Sequence, residues 1–200
     1  MANFNRIART YDFWKWIVFG NQLEKAANHF LNHIPSKSKI LIIGGGTGQI
    51  LKNFDISHQI KYLELSSSMI KKAKSVEFDA KIDFIQADVL EWHSDVKFDF
   101  IITPFILDCL TEKQLNLIFP KLKNLMNKDG KWIQTDFYPK TKIQRFLVRM
   151  MYNFFRFTAN LKTNQLIEFD LFFKKHRFIC QRKALFYHSV VESKIYQNID

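Results

Sequence analysis

The stretch Ile40-Leu41-Ile42-Ile43-Gly44-Gly45-Gly46-Thr47-Gly48 decides the fold of this chain. Its four apolar residues form an unbroken run, which is typical of a strand that is buried on both faces of a parallel sheet. The glycines at positions 44, 46 and 48 lack a Cβ, so the backbone can adopt positive φ and a ligand can lie directly against it. A helix-like pattern follows. A strand, a glycine turn and a helix together form the ligand-binding corner of a doubly wound α/β domain.

The spacing of the glycines distinguishes this turn from two common nucleotide-binding motifs. Gln49 occupies the third position of the dinucleotide fingerprint, so the pattern is G-x-G-x-G rather than G-x-G-x-x-G. The sequence also lacks the G-x-x-x-x-G-K-[ST] motif of a P-loop. The next predicted strand ends in Glu64, about 20 residues after the first glycine, where a carboxylate can accept hydrogen bonds from both ribose hydroxyls.

Further elements are predicted from periodicity and turn residues. Strands are expected at about 60–65, 82–86, 98–102, 131–135, 177–187 and 190–197. Helices are expected at about 48–54, 67–76 and 164–175, with a further apolar stripe from Leu115 to Leu125 that ends at Lys128-Asp129-Gly130. Residues 5–34 are also expected to form one or two helices.

Five short segments resemble the class I S-adenosylmethionine-dependent methyltransferases, in the family's order and spacing, over roughly residues 38–137. They are Ile43-Gly44-Gly45-Gly46-Thr47-Gly48, Glu64-Leu65-Ser66-Ser67-Ser68-Met69-Ile70, Gln86-Ala87-Asp88-Val89, Phe98-Asp99-Phe100-Ile101-Ile102 and Lys128-Asp129-Gly130-Lys131-Trp132. The resemblance implies an α/β fold with a Rossmann-like doubly wound sheet of about seven strands. Such a sheet is mostly parallel, with an antiparallel C-terminal pair and helices on both faces.

The resemblance implies S-adenosyl-L-methionine as the cofactor. The residues implied to bind it are Gly44, Gly45, Gly46, Thr47, Gly48, Glu64, Leu65, Met69, Asp88, Val89 and Thr103. In the family, the acid at the position of Asp88 accepts a hydrogen bond from the adenine amino group. One position departs from the pattern, because Ile42 stands where the family usually carries an acid that helps to hold the methionine end of the cofactor.

Two aspartates follow the strands that are predicted at 98–102 and 131–135. Asp108 and Asp136 therefore lie on the side of the sheet where ligands bind, and either is a candidate base for a hydroxyl acceptor. Capping of a helix start explains Asp108 nearly as well. Thr103-Pro104-Phe105-Ile106 lacks the amide and the second proline that base-modifying relatives carry at this place. This departure counts against methylation of exocyclic amines of nucleic acid bases.

The chain is expected to form one domain of 200 residues with three parts. Residues 1–35 would form an N-terminal helical lid, in which Tyr11-Asp12 resembles the start of the lid of small-molecule and lipid-quinone methyltransferases. Residues 38–137 would form the cofactor-binding core, and residues 138–200 would supply substrate-side helices and the closing strands. His29 and His33 have no third ligand nearby, so no metal site is predicted.

The net charge of +11 is concentrated near the C-terminus, where residues 140–200 hold 12 Lys and Arg against 4 Asp and Glu. Residues 143–157 are predicted to form an amphipathic helix. Its basic face carries Arg145, Arg149 and Arg156, and its apolar face carries Phe146, Leu147, Met150, Phe154 and Phe157. Such a helix can lie on a membrane, line a pocket for an apolar substrate or pack on the sheet.

We therefore predict methyl transfer to a small, hydrophobic or membrane-associated acceptor, with peripheral membrane contact through residues 143–157. Two alternatives remain open: an RNA or protein methyltransferase that uses the basic C-terminal surface, and a cofactor-binding protein that has lost turnover. Nucleic acid is the less favoured partner. The sequence has no apolar run of about 18 residues, no signal-peptide pattern and only Cys109 and Cys180, so we expect a cytoplasmic protein with or without peripheral membrane association.

Overall fold

The computed structural model describes residues 19–146, 148–150 and 167–199. The predicted Tyr11-Asp12 lid segment lies outside the described residues, as do position 147 and residues 151–157 of the predicted amphipathic helix. Within the described parts of the chain, no helix combines the length and the hydropathy needed to cross a bilayer.

Seven strands form one sheet in the order β3-β2-β1-β4-β5-β7-β6 over the described residues. The strands are β1 (Lys39–Ile43), β2 (Gln59–Glu64), β3 (Lys81–Gln86), β4 (Phe98–Pro104), β5 (Met126–Phe137), β6 (Phe178–Phe186) and β7 (Val191–Asn198). Strands β1 to β5 pair in parallel, whereas β7 pairs antiparallel with both β5 and β6. The predicted doubly wound sheet with an antiparallel C-terminal pair is thus confirmed.

Among the described residues, short α-helices surround the sheet. They are α1 (Gln22–Asn28), α2 (Ser67–Ala73), α3 (Glu112–Asn124) and α4 (Phe169–Lys175). Further 3-10 turns occur at Leu31–His33, Gln49–Asn53 and Leu107–Cys109. Residues 142–146 and 148–150 are also helical.

Two local predictions were wrong. The α-helix expected at 48–54 is a 3-10 helix, Gln49–Asn53, because Gly48 starts it in the left-handed region at φ 82° and Phe54 is already extended. This leaves too few residues for repeated i to i+4 hydrogen bonds. Lys128-Asp129-Gly130 does not end a helix. It lies within β5, whose first residue, Met126, pairs with Phe98.

The strand that precedes the glycine turn is buried on both faces, as its unbroken apolar run predicts. Leu41 and Ile43 belong to the core cluster on one face of the sheet, which also contains Trp132 and the apolar residues of α3 and α4. Ile40 and Ile42 belong to the cluster on the other face. Because the four residues are at most 1% exposed, β1 is a rigid support for the turn that follows it.

Part of the C-terminal basic excess is paired inside the fold. The Lys194 side chain is buried, and its Nζ lies 2.6 Å from Asp170 Oδ1 and 2.9 Å from Glu192 Oε2. Lys183 and Lys140 also approach Glu192, at 2.7 Å and 3.1 Å. Burial acts to raise the pKa of Glu192, but hydrogen bonds from Lys183 and Lys194 outweigh it, and the net shift is downward. These lysines therefore serve folding, in addition to any role on the surface.

Candidate functional site

A cleft opens at the carboxyl ends of the parallel strands, where the topology of such a sheet places ligands. The strand ends and the segments that follow them contribute Ile43, Gly44, Gly45, Gly46, Thr47, Gln49, Ile50, Leu63, Glu64, Leu65, Met69, Ala87, Val89, Pro104, Phe105 and Ile106. Helix α1 contributes Leu23, Glu24, Ala27 and Asn28. The glycine turn and the end of β2 thus face one helix across a shared cavity.

The glycine turn is shaped by two different requirements. A Cβ on Gly45 would lie 2.5 Å from the ring of Tyr62, so close packing requires glycine there. The Tyr62 hydroxyl in turn donates a 2.9 Å hydrogen bond to the carbonyl oxygen of Gly46. Gly46 itself has φ +63°, and a Cβ there would meet no atom within 4 Å. The turn is therefore packed against β2 on one side and open on the other.

Glu64 is buried at the end of β2, with both carboxylate oxygens engaged by the backbone. The N–H of Gly46 donates to Oε2 at 3.2 Å, and the N–H of Ser66 donates to Oε1 at 2.9 Å. Burial raises the pKa of Glu64 above its ordinary value, although these backbone donors oppose the rise. Each oxygen has a second lone pair, so this carboxylate can still accept hydrogen bonds from a ligand.

The other predicted cofactor residues differ in their position relative to the cleft. Leu65, Met69 and Val89 line the cleft. Asp88 is half-buried beside it, and its Oδ1 accepts a hydrogen bond from the N–H of Leu90 at 2.9 Å, which forms a local turn. Thr103 is fully buried, and its Oγ1 accepts a hydrogen bond from the Trp132 indole at 2.8 Å. Its hydroxyl therefore has a structural partner within the core.

The two predicted catalytic aspartates meet, although they are far apart in sequence. The N–H of Asp108 donates to Asp136 Oδ2 at 3.3 Å, and the N–H of Phe137 donates to Asp136 Oδ1 at 3.1 Å. Burial, followed by the nearby Asp108 carboxylate, holds the pKa of Asp136 well above its usual range. Cys109 lies against the pair, and burial together with the same carboxylates raises the pKa of its thiol. A carboxyl group with a raised pKa is suited to proton transfer near neutral pH.

The sequence predicts a helical lid over residues 1–35, which include α1, but it singles out no residue of α1 as part of the cleft. Leu23 and Ala27 of this helix line the cleft. Glu24 and Asn28 also line it, but an isolated polar residue on a short helix gives no signal in the sequence. Phe105 and Ile106 also line the cleft, whereas the sequence indicated only that their segment lacks the motif of base-modifying enzymes.

The cleft carries negatively charged side chains, although the protein as a whole is positively charged. Among the described residues that line it are two carboxylates, Glu24 and Glu64, and no lysine or arginine. The chain as a whole carries a net charge of +11. Phosphate groups are usually bound by cationic side chains or helix N-termini. The charges of this cleft instead suit a cationic ligand.

Comparisons with known proteins agree with this fold and cleft. Residues 40–130 match the family described as a methyltransferase domain. The ubiquinone/menaquinone biosynthesis C-methyltransferase UbiE of Saccharophagus degradans is 26% identical over 178 residues, which cover 84% of this chain and 70% of that protein.

Two solved structures share the fold at low sequence identity. A TehB-like SAM-dependent methyltransferase from Corynebacterium glutamicum is 14% identical with a TM-score of 0.66, and the match covers 96% of this chain and 97% of that one. The 1,6-didemethyltoxoflavin-N1-methyltransferase of Burkholderia thailandensis, solved with 1,6-didemethyltoxoflavin and S-adenosylhomocysteine, is 12% identical with a TM-score of 0.67 and coverages of 97% and 85%. The matched domain over residues 40–130, the sheet order and the glycine-turn cleft lead to one conclusion: the chain contains a methyltransferase domain with the fold of the S-adenosylmethionine-dependent methyltransferases.

Proposed function

We propose that this enzyme transfers the methyl group of S-adenosylmethionine to a small, hydrophobic acceptor that resides in or near a membrane. The observation that carries the cofactor part is the cleft itself, where an open glycine turn faces an oriented carboxylate and no described cationic side chain. S-adenosylmethionine has a sulfonium and an ammonium against one carboxylate, so its net charge is positive. That charge matches the two glutamates of the cleft.

We propose that different residues of the cleft contact different parts of the cofactor. Glu64 accepts hydrogen bonds from the ribose hydroxyls, and the backbone of Gly44, Gly46 and Thr47 lies along the cofactor. Asp88 and Val89, after β3, recognise the adenine, while Leu65 and Met69 supply apolar contact. Support comes from the common location of these residues at the carboxyl edge of the sheet.

The cofactor supplies a methyl carbon that is already activated by the positive sulfur. The chain must hold the acceptor atom in line at about 3 Å and keep water out. When the acceptor atom attacks the methyl carbon, the bond from carbon to sulfur breaks and S-adenosylhomocysteine leaves. A hydroxyl acceptor must also lose its proton, and Asp108 with Asp136 is the predicted base for that step, although Asp136 is completely buried and neither aspartate is among the residues that line the cleft.

The hydrophobic acceptor is supported by the apolar wall of the cleft after β4. Pro104, Phe105 and Ile106 line that wall, and Phe105 packs against Phe137 with ring centroids 5.3 Å apart. The relative from Saccharophagus degradans is named for ubiquinone and menaquinone biosynthesis. A quinone-like or other lipid-like acceptor is therefore the class that we propose.

Membrane contact is proposed for the helical residues 142–146 and 148–150. The apolar residues Ile143, Phe146 and Met150 are 74%, 61% and 55% exposed. They recur at helical spacing, while Val148 is buried and faces the protein. Arg145 and Arg149 are exposed beside them. An exposed apolar stripe flanked by cations suits the interface of an anionic bilayer.

The function is tested with the purified full chain and S-adenosylmethionine that carries a labelled methyl group. We expect label to enter an apolar fraction of a total lipid extract and not RNA. Label in RNA alone would overturn the proposed acceptor. Failure of the chain to bind S-adenosylhomocysteine in calorimetry would overturn the proposed roles of the cleft residues.

The membrane surface is tested by co-sedimentation with vesicles that contain phosphatidylglycerol. Phe146→Glu should reduce binding several-fold, because it removes apolar area that would be buried in the bilayer and adds an anion near anionic lipid. Leu117→Glu is the matched control, since Leu117 is 60% exposed on α3, away from this stripe. Equal losses in the two variants, or no binding by the unaltered chain, would contradict the proposed surface.

A further inference from the structure

Helix α1 presents two oxygen-bearing side chains to the cleft. Glu24 and Asn28 are four positions apart, so they lie on the same face of the helix, and both line the cavity. They share this cavity with the glycine turn. Glu64, the other carboxylate of the cleft, lies at the end of β2 and has backbone donors on both of its oxygens.

The Asn28 side chain has an unsatisfied acceptor at this place. Its Oδ1 atom is shielded from solvent and has no hydrogen-bond donor among the described residues. Buried polar atoms in folded proteins nearly always have a partner, supplied by protein, water or ligand. Rotation of the Asn28 amide, which lines the cleft, would bring this oxygen to a donor group that is bound beside α1.

Glu24 supplies negative charge next to that oxygen. No ion pair joins its carboxylate to a described residue, and no described lysine or arginine lines the cleft. An ammonium group has three N–H donors and one positive charge, so a carboxylate and an amide oxygen on one helix face are suitable partners for it.

We propose that Glu24 and Asn28 bind the ammonium group of the methionine end of S-adenosylmethionine. This inference rests on the proposed use of the cleft for that cofactor. Strand β1 offers no acid for the task, since Ile42 is completely buried in the core cluster on one face of the sheet. The helix over the cleft thus supplies the anion that the strand lacks, and Glu64 remains available for the ribose.

The proposal separates the two ends of the ligand, so it can be tested with a truncated one. S-adenosylhomocysteine carries the amino acid end, whereas 5′-methylthioadenosine keeps the adenosyl group and lacks the ammonium and carboxylate. Glu24→Gln and Asn28→Ala should each weaken S-adenosylhomocysteine, by about tenfold or more for Glu24→Gln, because a charge-assisted contact is lost. Binding of 5′-methylthioadenosine should change less than about twofold.

Calorimetry on the full chain supplies the measurement, and Lys25→Gln on the same helix is the control because Lys25 is exposed and does not line this cleft. Thermal unfolding checks that each variant is folded. Equal effects of Glu24→Gln on both ligands, or none on either, would overturn the assignment while the adenosyl site stands. If the unaltered chain bound neither ligand, both this inference and the proposed roles of the cleft residues would fall.

Discussion

The backbone N–H of Gly46 donates a 3.2 Å hydrogen bond to Oε2 of Glu64, which ties the glycine turn to the end of the neighbouring strand. Ser66 holds the other oxygen at 2.9 Å and also caps the start of α2 by accepting from the N–H of Met69. The carboxylate is therefore oriented before a ligand arrives. Such preorganisation lowers the entropic cost of binding.

Replacement of Glu64 by Gln should weaken binding of S-adenosylhomocysteine by about 10- to 100-fold. A hydrogen bond to a charged group contributes roughly 1.5–3 kcal/mol, and the amide cannot accept on both sides. Calorimetry measures the affinity, with Glu91→Gln, an exposed acid, as the control. An unchanged dissociation constant for Glu64→Gln would show that this carboxylate does not contact the ligand.

Gly45→Ala should mainly reduce stability, whereas Gly46→Ala should mainly reduce ligand affinity. Gly45→Ala places a methyl group 2.5 Å from the buried Tyr62 ring, and we expect a stability loss of about 1–3 kcal/mol in urea unfolding. Gly46→Ala meets no neighbour, so backbone strain alone should cost about 1 kcal/mol. The methyl group on the open side of the turn should instead lower ligand affinity. Similar stability losses in both variants would contradict the Tyr62 contact.

Thr103→Val should destabilise the protein without altering cofactor affinity. The substitution keeps the shape of the side chain but leaves the Trp132 indole N–H without its acceptor, which costs roughly 1–3 kcal/mol. Urea unfolding followed by tryptophan fluorescence measures the loss, and Thr103→Ser, which retains the hydroxyl, is the control. Reduced affinity at unchanged stability would instead support the cofactor role that the family resemblance implies for Thr103.

Asp136→Asn should change the pH dependence of stability. Because the folded state holds the pKa of Asp136 well above 3.8, it binds more protons than the unfolded chain, and stability falls as pH rises from about 3.8 to the folded pKa. The variant does not titrate at this position. Its stability relative to the unaltered protein should therefore increase with pH, by up to about 1.4 kcal/mol per unit.

Urea unfolding between about pH 5 and pH 8 supplies this comparison. Asp95→Asn, at an exposed aspartate, is the control variant for the loss of one carboxylate. Parallel curves for Asp136→Asn would mean that burial and Asp108 do not raise the pKa of Asp136.

The predicted amphipathic helix shows what a helical sequence pattern can predict and what it cannot. The predicted apolar face included Phe146 and Met150, but both are exposed, and Val148 is the residue that packs inward. The helical period was sufficient to group the residues into faces. It could not tell which face meets the protein, because that depends on what the rest of the chain places beside the helix.

The sequence by itself determined the buried strand β1, the glycine turn and the acid at the end of β2, because each depends on local backbone preference and on short spacing. Only the tertiary structure decided that Glu24 and Asn28 face the turn, that Asp108 meets Asp136 across 28 positions, and that Thr103 faces Trp132. These contacts follow from the strand order and from the packing of α1 against β5, β6, β7 and the turn Gln49–Asn53, none of which is encoded in any single stretch of residues.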